Sequence, residues 1–93
     1  MSEVLKILKE HKQELFKKYP IQSLALFGSY SRGDYRENSD VDVLVEFTHP
    51  VGMEFISVSH ELEDILNKEV DLVSKTAVKP KYLKYIEADL LYV

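Results

Sequence analysis

With 93 residues, 45% hydrophobic and 30% charged, the chain has the size and composition of one small globular domain and not of a disordered segment. It has no cysteine, which excludes disulfides and thiolate-metal sites. Its net charge of −4 disfavours a general nucleic-acid binder, and no apolar run approaches the roughly 20 residues of a membrane helix. A single cytoplasmic domain spanning residues 1–93 is expected, without membrane association or direct DNA contact.

The first predicted element is a helix from Ser2 to Lys18. Val4, Leu5, Leu8, His11, Leu15 and Phe16 follow a helical period there, Ser2 is its cap and Pro20 ends it. Ser23 to Phe27 is a short apolar run stopped by Gly28, a buried strand, and Gly28 to Asp34 holds a short helical turn. Val41 to Phe47 alternates, with Val41, Val43, Val45 and Phe47 on one face and Asp42, Leu44 and Glu46 on the other, which is a strand. Gly52 to Lys68 repeats apolar residues at helical spacing, and Glu69 to Val73 is a third strand. Pro80 opens a last helix through Tyr82, Leu83 and Ile86. The tail Leu90 to Val93 is open between the end of that helix and an extended segment.

The order α-β-α-β-α-β-α puts the chain in the α/β (α+β) class, with a short mixed sheet of about three strands packed with helices. Strands two and three, joined by a full helix, are expected to be parallel.

Charge is distributed unevenly. Between Arg36 and Lys68 lie Glu37, Asp40, Asp42, Glu46, Glu54, Glu61, Glu63 and Asp64, with no lysine or arginine among them. A phosphate-bearing ligand handled by this segment calls for a metal cation as mediator. Three carboxylates stand where apolar residues belong. Asp40 and Asp42 are two apart at the start of a strand, hence on one face and roughly 6–7 Å apart along the backbone. Asp71 interrupts the buried-looking run Val70-Asp71-Leu72-Val73. Such acids repel one another and resist burial as ions, a cost that a bound divalent cation removes. Mg²⁺ suits them, since it is held by one or two carboxylates together with substrate phosphates. A pair of ions about 3.5–4 Å apart would activate a hydroxyl and stabilise a leaving phosphate.

Upstream, Gly28-Ser29 follows the first strand. Glycine lets backbone approach a phosphate, and Ser29 adds a hydroxyl donor. Arg32, with Gly33, stands on the following turn, where a guanidinium reaches either a phosphate or a carboxylate of Asp34, Glu37 or the acidic cluster. The phosphate loop ends strand one, whereas Asp40 and Asp42 begin strand two. For the two to meet, strand one must run antiparallel to strand two, and Asp71 then falls beside the pair.

These residues give the chain its resemblance to nucleotidyltransferases of the DNA-polymerase-β superfamily: Gly28-Ser29, ten residues from Tyr30 to Ser39, Asp40-Val41-Asp42, then Asp71 on the next strand. The surroundings, Phe27 to Gly33 and Asn38 to Val45, closely resemble the minimal nucleotidyltransferase (MNT) group. The resemblance implies an antitoxin that performs Mg²⁺-dependent transfer of AMP from ATP to a tyrosine hydroxyl of a HEPN-type ribonuclease toxin encoded beside it. By position, Asp40 and Asp42 would bind the metals, Asp71 would bind the catalytic ion and help deprotonate the hydroxyl, and Gly28 and Ser29 would hold the β- and γ-phosphates. Arg32 is a further phosphate contact by the same carry-over.

Two other functions compete: a non-catalytic antitoxin that masks the toxin by contact, and a transferase acting on a small molecule. His11, His49 and His60 are scattered and read as surface or half-buried groups. Tyr82, Tyr85 and Tyr92 read as core or interface groups, and Lys75, Lys79, Lys81 and Lys84 as a solvated face.

Overall fold

The computed structural model describes residues 2–93. Helix α1 spans Glu3–Lys18, and the Ser2 hydroxyl accepts from the Leu5 N–H at 3.2 Å, as its cap position requires. Glu3 lies in the first turn and Lys17 and Lys18 in the last, each complementing the helix dipole. Strand β1 is Ile21–Phe27, α2 is Ser29–Arg32, β2 is Val41–Phe47 and α3 is Glu54–Leu66. Strand β3 is Val70–Ser74, a single 3-10 turn follows at Lys75–Ala77, α4 is Pro80–Glu87 and β4 is Leu91–Tyr92.

The strands form one mixed sheet in the order β3-β2-β1-β4. Strand β1 runs antiparallel to β2 and β2 parallel to β3, the two orientations expected from the sequence. The expected strand count of three becomes four. The undecided tail is extended, Leu91 and Tyr92 pairing antiparallel with Leu26 and Ala25, and the Val93 N–H donating to the Leu24 carbonyl at 3.0 Å. A two-residue strand carries no periodicity of its own; it exists because β1 offers it an unpaired edge.

One face of the sheet builds the core. Leu24, Leu26, Val41, Val43, Val45 and Leu72 pack there with Val4, Leu5, Leu8 and Leu15 of α1 and Val58, Leu62 and Leu66 of α3. Helix α3 stops at Asn67, whose left-handed backbone (φ 52°) ends the helical run. Glu63 of the same helix accepts the Val70 N–H at 3.2 Å, tying the start of β3 to α3. Lys18 and the Tyr19 hydroxyl both donate to Glu61, at 2.7 and 2.9 Å, and fasten the end of α1 to α3. The opposite face carries the alternate residues, Phe27 on β1, Asp42, Leu44 and Glu46 on β2, and Asp71 on β3.

Candidate nucleotidyl-transfer site

Strand register brings the expected residues to one end of the sheet. Phe27 is paired with Asp42 across β1 and β2, so Gly28 emerges beside Asp42. Asp42 is paired in turn with Asp71 across β2 and β3. The loop at Gly28, a central carboxylate and a third carboxylate therefore stand at the end of β1, on β2 and on β3, neighbouring strands that lie about 4.8 Å apart. Asp40 immediately precedes β2.

Gly28 occupies a conformation, φ 71° and ψ −147°, that side chains rarely adopt, and a Cβ there would overlap the Asp42 carboxylate. Glycine is thus demanded twice, by the backbone and by the acid beside it. The chain then closes the short helix α2, ended by Gly33 in the left-handed region (φ 87°), whose N–H donates to the Ser29 carbonyl at 2.9 Å. Tyr30 of α2 is buried and stacks on Tyr35 with ring centroids 4.3 Å apart, which anchors the loop against the domain. Ser29, at the start of α2, is half-buried.

Asp40 and Asp71 are exposed and Asp42 is half-buried. The Asp42 carboxyl is pushed above the ordinary carboxylate range, first by burial, then by the charges of Asp71 and Asp40, with Arg32 acting in the opposite direction. Among the described residues no three acidic or imidazole groups close into a ready-made cation cage. The donor chemistry nevertheless suits Mg²⁺, which keeps several waters and completes its shell with substrate phosphates, and a cation would relieve the repulsion that Asp42 meets.

Arg32 faces two acids. Its Nε donates to Asp34 at 3.2 Å and its Nη1 to Asp89 at 3.4 Å. Asp34 was among its expected partners; Asp89 was not. The Ser31 hydroxyl also donates to the Asp89 carbonyl, so the turn after α4 is tied to α2 from two directions. A cleft of about 390 Å³ opens here, lined by Phe27, Gly28, Arg32, Tyr85, Ile86, Ala88 and Asp89. Sequence reasoning did not find its α4 wall, because nothing local in Tyr85, Ile86 or Asp89 announces that the chain returns to the phosphate loop. A cleft of about 530 Å³ at the other end of β2, lined by Phe47, His49, Pro50 and Phe55 among others, contains none of the expected site residues.

The histidines take the ordinary roles expected of them: His11 Nδ1 meets the Ile7 carbonyl at 2.9 Å and His49 Nδ1 the Pro50 carbonyl at 3.0 Å. Ser39 forms turn contacts with Arg36 ahead of β2.

Residues 8–93 match the family model described as a nucleotidyltransferase domain. Similar proteins include the protein adenylyltransferase MntA of Thermococcus cleftensis, 38% identical, the alignment covering 100% of this chain and 95% of the relative. A Methanocaldococcus jannaschii protein, provisionally named a protein adenylyltransferase, is 46% identical with coverages of 100% and 97%. A solved structure provisionally assigned as a minimal nucleotidyltransferase superimposes with a TM-score of 0.85 at 27% identity, over 98% of this chain and 94% of the other. Two further structures share the fold. One is a chain of a toxin-antitoxin crystal structure with AMP-PNP, with a TM-score of 0.76 at 23% identity and coverages of 90% and 70%. The other is a chain of the complex of tri-AMPylated Shewanella oneidensis HEPN toxin with MNT antitoxin, with a TM-score of 0.68 at 19% identity and coverages of 94% and 69%.

Proposed function

The chain belongs to the nucleotidyltransferase domain family, and we propose that it is an antitoxin that transfers AMP from ATP to a tyrosine hydroxyl of a HEPN-type ribonuclease toxin in the cytoplasm. One observation carries the reading: Gly28 just past β1, Asp42 on β2 and Asp71 on β3 stand side by side, with no space for a side chain between the loop and the central acid. Support for a protein acceptor comes from the relatives named protein adenylyltransferase and from the fold shared with chains of toxin-antitoxin complexes.

In the proposed reaction Gly28 and Ser29 hold the β- and γ-phosphates at the mouth of the cleft. Arg32 exchanges its exposed carboxylate partners for phosphate oxygens, a stronger and geometrically matched acceptor. The tyrosine oxygen attacks the α-phosphorus and forms the new P–O bond. The bond from that phosphorus to the oxygen bridging to the β-phosphate breaks, and pyrophosphate leaves. The phenolic proton passes to the Asp71 carboxylate, which is exposed and accessible to an incoming acceptor. Asp40, Asp42 and Asp71 would hold Mg²⁺, two ions in the full reading, and the chemistry these supply when bound is neutralisation of phosphate charge and acidification of the hydroxyl.

The test is to mix the chain with ATP, Mg²⁺ and the HEPN-type protein encoded beside it, and to weigh that protein intact. A gain of one or more AMP masses, lost with Asp42→Asn, is the expected result. A partner that stays unmodified, yet binds and loses ribonuclease activity, would replace enzymatic transfer with masking by contact.

A further inference from the structure

Helix α4 differs from α1 and α3 in burying no residue. Leu83 and Ile86, three apart, are its half-buried side. Lys81, Lys84 and Tyr85 recur at the spacing of one helical face, and with Tyr82 they line an open groove of about 540 Å³. Tyr82 and Tyr85 are 53% and 77% exposed, and Lys81 Nζ lies over the Tyr82 ring at 5.1 Å. Exposed tyrosines of this kind supply large, stiff contact area and are enriched where proteins meet.

Charge separates this face from the rest of the molecule. From Lys75 to Lys84 there are lysines at 75, 79, 81 and 84, and all sixteen acidic residues of the chain lie outside that stretch. The face also adjoins the site, because Tyr85 and Ile86 line the cleft that contains Gly28 and Arg32.

We infer that the lysine-tyrosine face of α4 is the docking surface for an acidic protein surface that carries the acceptor hydroxyl. The inference rests on the proposed transfer to a protein and adds where that protein is held. Its charge logic follows from the site. An acceptor must approach the opening formed by Asp40, Asp42 and Asp71, which repels any anionic partner. A basic face alongside offsets that repulsion and orients the approach. A folded protein can present its acids to α4 and a neutral hydroxyl to the carboxylates. An RNA backbone crossing both places would set its phosphates against the acids, which argues against nucleic acid as the occupant.

The charge reversal Lys81→Glu with Lys84→Glu tests this, since both side chains are solvent-exposed and the fold can be checked by melting. Binding of the HEPN-type protein is measured by calorimetry in an Asp42→Asn background, so that transfer does not intervene, and binding of ATP with Mg²⁺ is measured on the chain alone. The expected result is partner affinity weakened by about tenfold or more, with ATP affinity unchanged. The neutral pair Lys81→Met with Lys84→Met should fall between, and raising salt should weaken the original chain more than either variant. Unchanged partner affinity overturns the inference. So does a loss confined to ATP, which would assign the lysines to the nucleotide, or charge-sensitive binding of a labelled single-stranded RNA with the protein partner unaffected. A partner that binds through α4 but is never adenylylated supports the docking surface and refutes the transfer, so the two readings fail separately.

Discussion

Replacing Gly28 with alanine measures how tightly the phosphate loop is packed on the central carboxylate. Two costs arise together. The backbone at φ 71° and ψ −147° lies where residues with a Cβ are strained by about 1–3 kcal/mol. The new methyl also overlaps the Asp42 carboxylate, and overpacking of this kind costs a further 1–3 kcal/mol or so. The sum is roughly 2–6 kcal/mol, and in a domain of this size each kcal/mol lowers the melting temperature by about 4–8 °C. Urea unfolding followed by circular dichroism reads the loss directly. The same substitution in an Asp42→Ala background separates the causes, because the overlap disappears and only the backbone strain remains. Gly28→Ala should therefore cost at least about 1 kcal/mol less there, a coupling expected of residues in contact. A loss under about 0.5 kcal/mol in the native background, or an equal loss in both, would refute the claim that glycine is demanded by its neighbour as well as by its own dihedrals.

Asp42→Asn should abolish AMP transfer and yet stabilise the free chain. Because the folded carboxyl titrates above its unfolded value, its ionised form opposes folding at neutral pH, and that opposition fades as pH falls through the folded value towards the unfolded one near 3.8. The variant should melt higher than the original at pH 7 and equal to it near pH 3; no gain at pH 7 would contradict the sign. Glu61→Gln should behave oppositely. The Glu61 carboxyl is held below its usual 4.5, chiefly by its hydrogen bond from Lys18, so it stabilises above that pH and the benefit is lost as pH falls. A small drop in urea midpoint at pH 7 that shrinks as the pH is taken below 4.5 is expected, and a drop independent of pH would assign the effect to packing. Leu62→Ala, at a fully buried position between α3 and the sheet, should cost about 2–5 kcal/mol in the same urea assay. A cost under about 1 kcal/mol would mean that the α3 interface relaxes around the gap.

The parts of the fold that were legible in the sequence are those whose information is local. Val41 to Phe47 alternates and is a strand over those same residues; Ser2 precedes a helical period and caps α1. The site was legible for a different reason. Asp42 and Asp71 interrupt runs that alternate or read as apolar, and Gly28-Ser29 stands at a strand end; in the structure Asp40 lies just before β2, and both it and Asp71 are exposed, with Asp42 alone half-buried. Requiring those pieces to meet also implies β1 antiparallel to β2, which is the observed pairing. What stayed hidden is non-local. Strand β4 depends on the free edge of β1, and Arg32 finds Asp89 across 57 positions of sequence. The beginning of β1 at Ile21, two residues before the expected start, is set by its pairing with Phe47 across a bulge.

The arrangement around Asp42 also explains why the loop and the carboxylates come as one unit. A domain of this size has little stability to spare, and the inward positions of β2, Val41, Val43 and Val45, are wholly buried and apolar. On the opposite face Asp42 has Gly28 against its carboxylate and Asp71 at the same register on β3, and burial with the charges of Asp71 and Asp40 disfavours its ionised form. A side chain at position 28 would press on the Asp42 carboxylate, and in the proposed reaction an apolar residue at 71 would remove the acceptor for the proton. Arg32 acts the other way, though its guanidinium is already shared with Asp34 and Asp89. In the proposed reaction a cation held by the three acids would offset that charge, and Arg32 would turn to the phosphates. On that proposal the disfavoured charge of Asp42 is a local destabilisation that a bound cation would offset, and the prediction for Asp42→Asn at pH 7 measures its size.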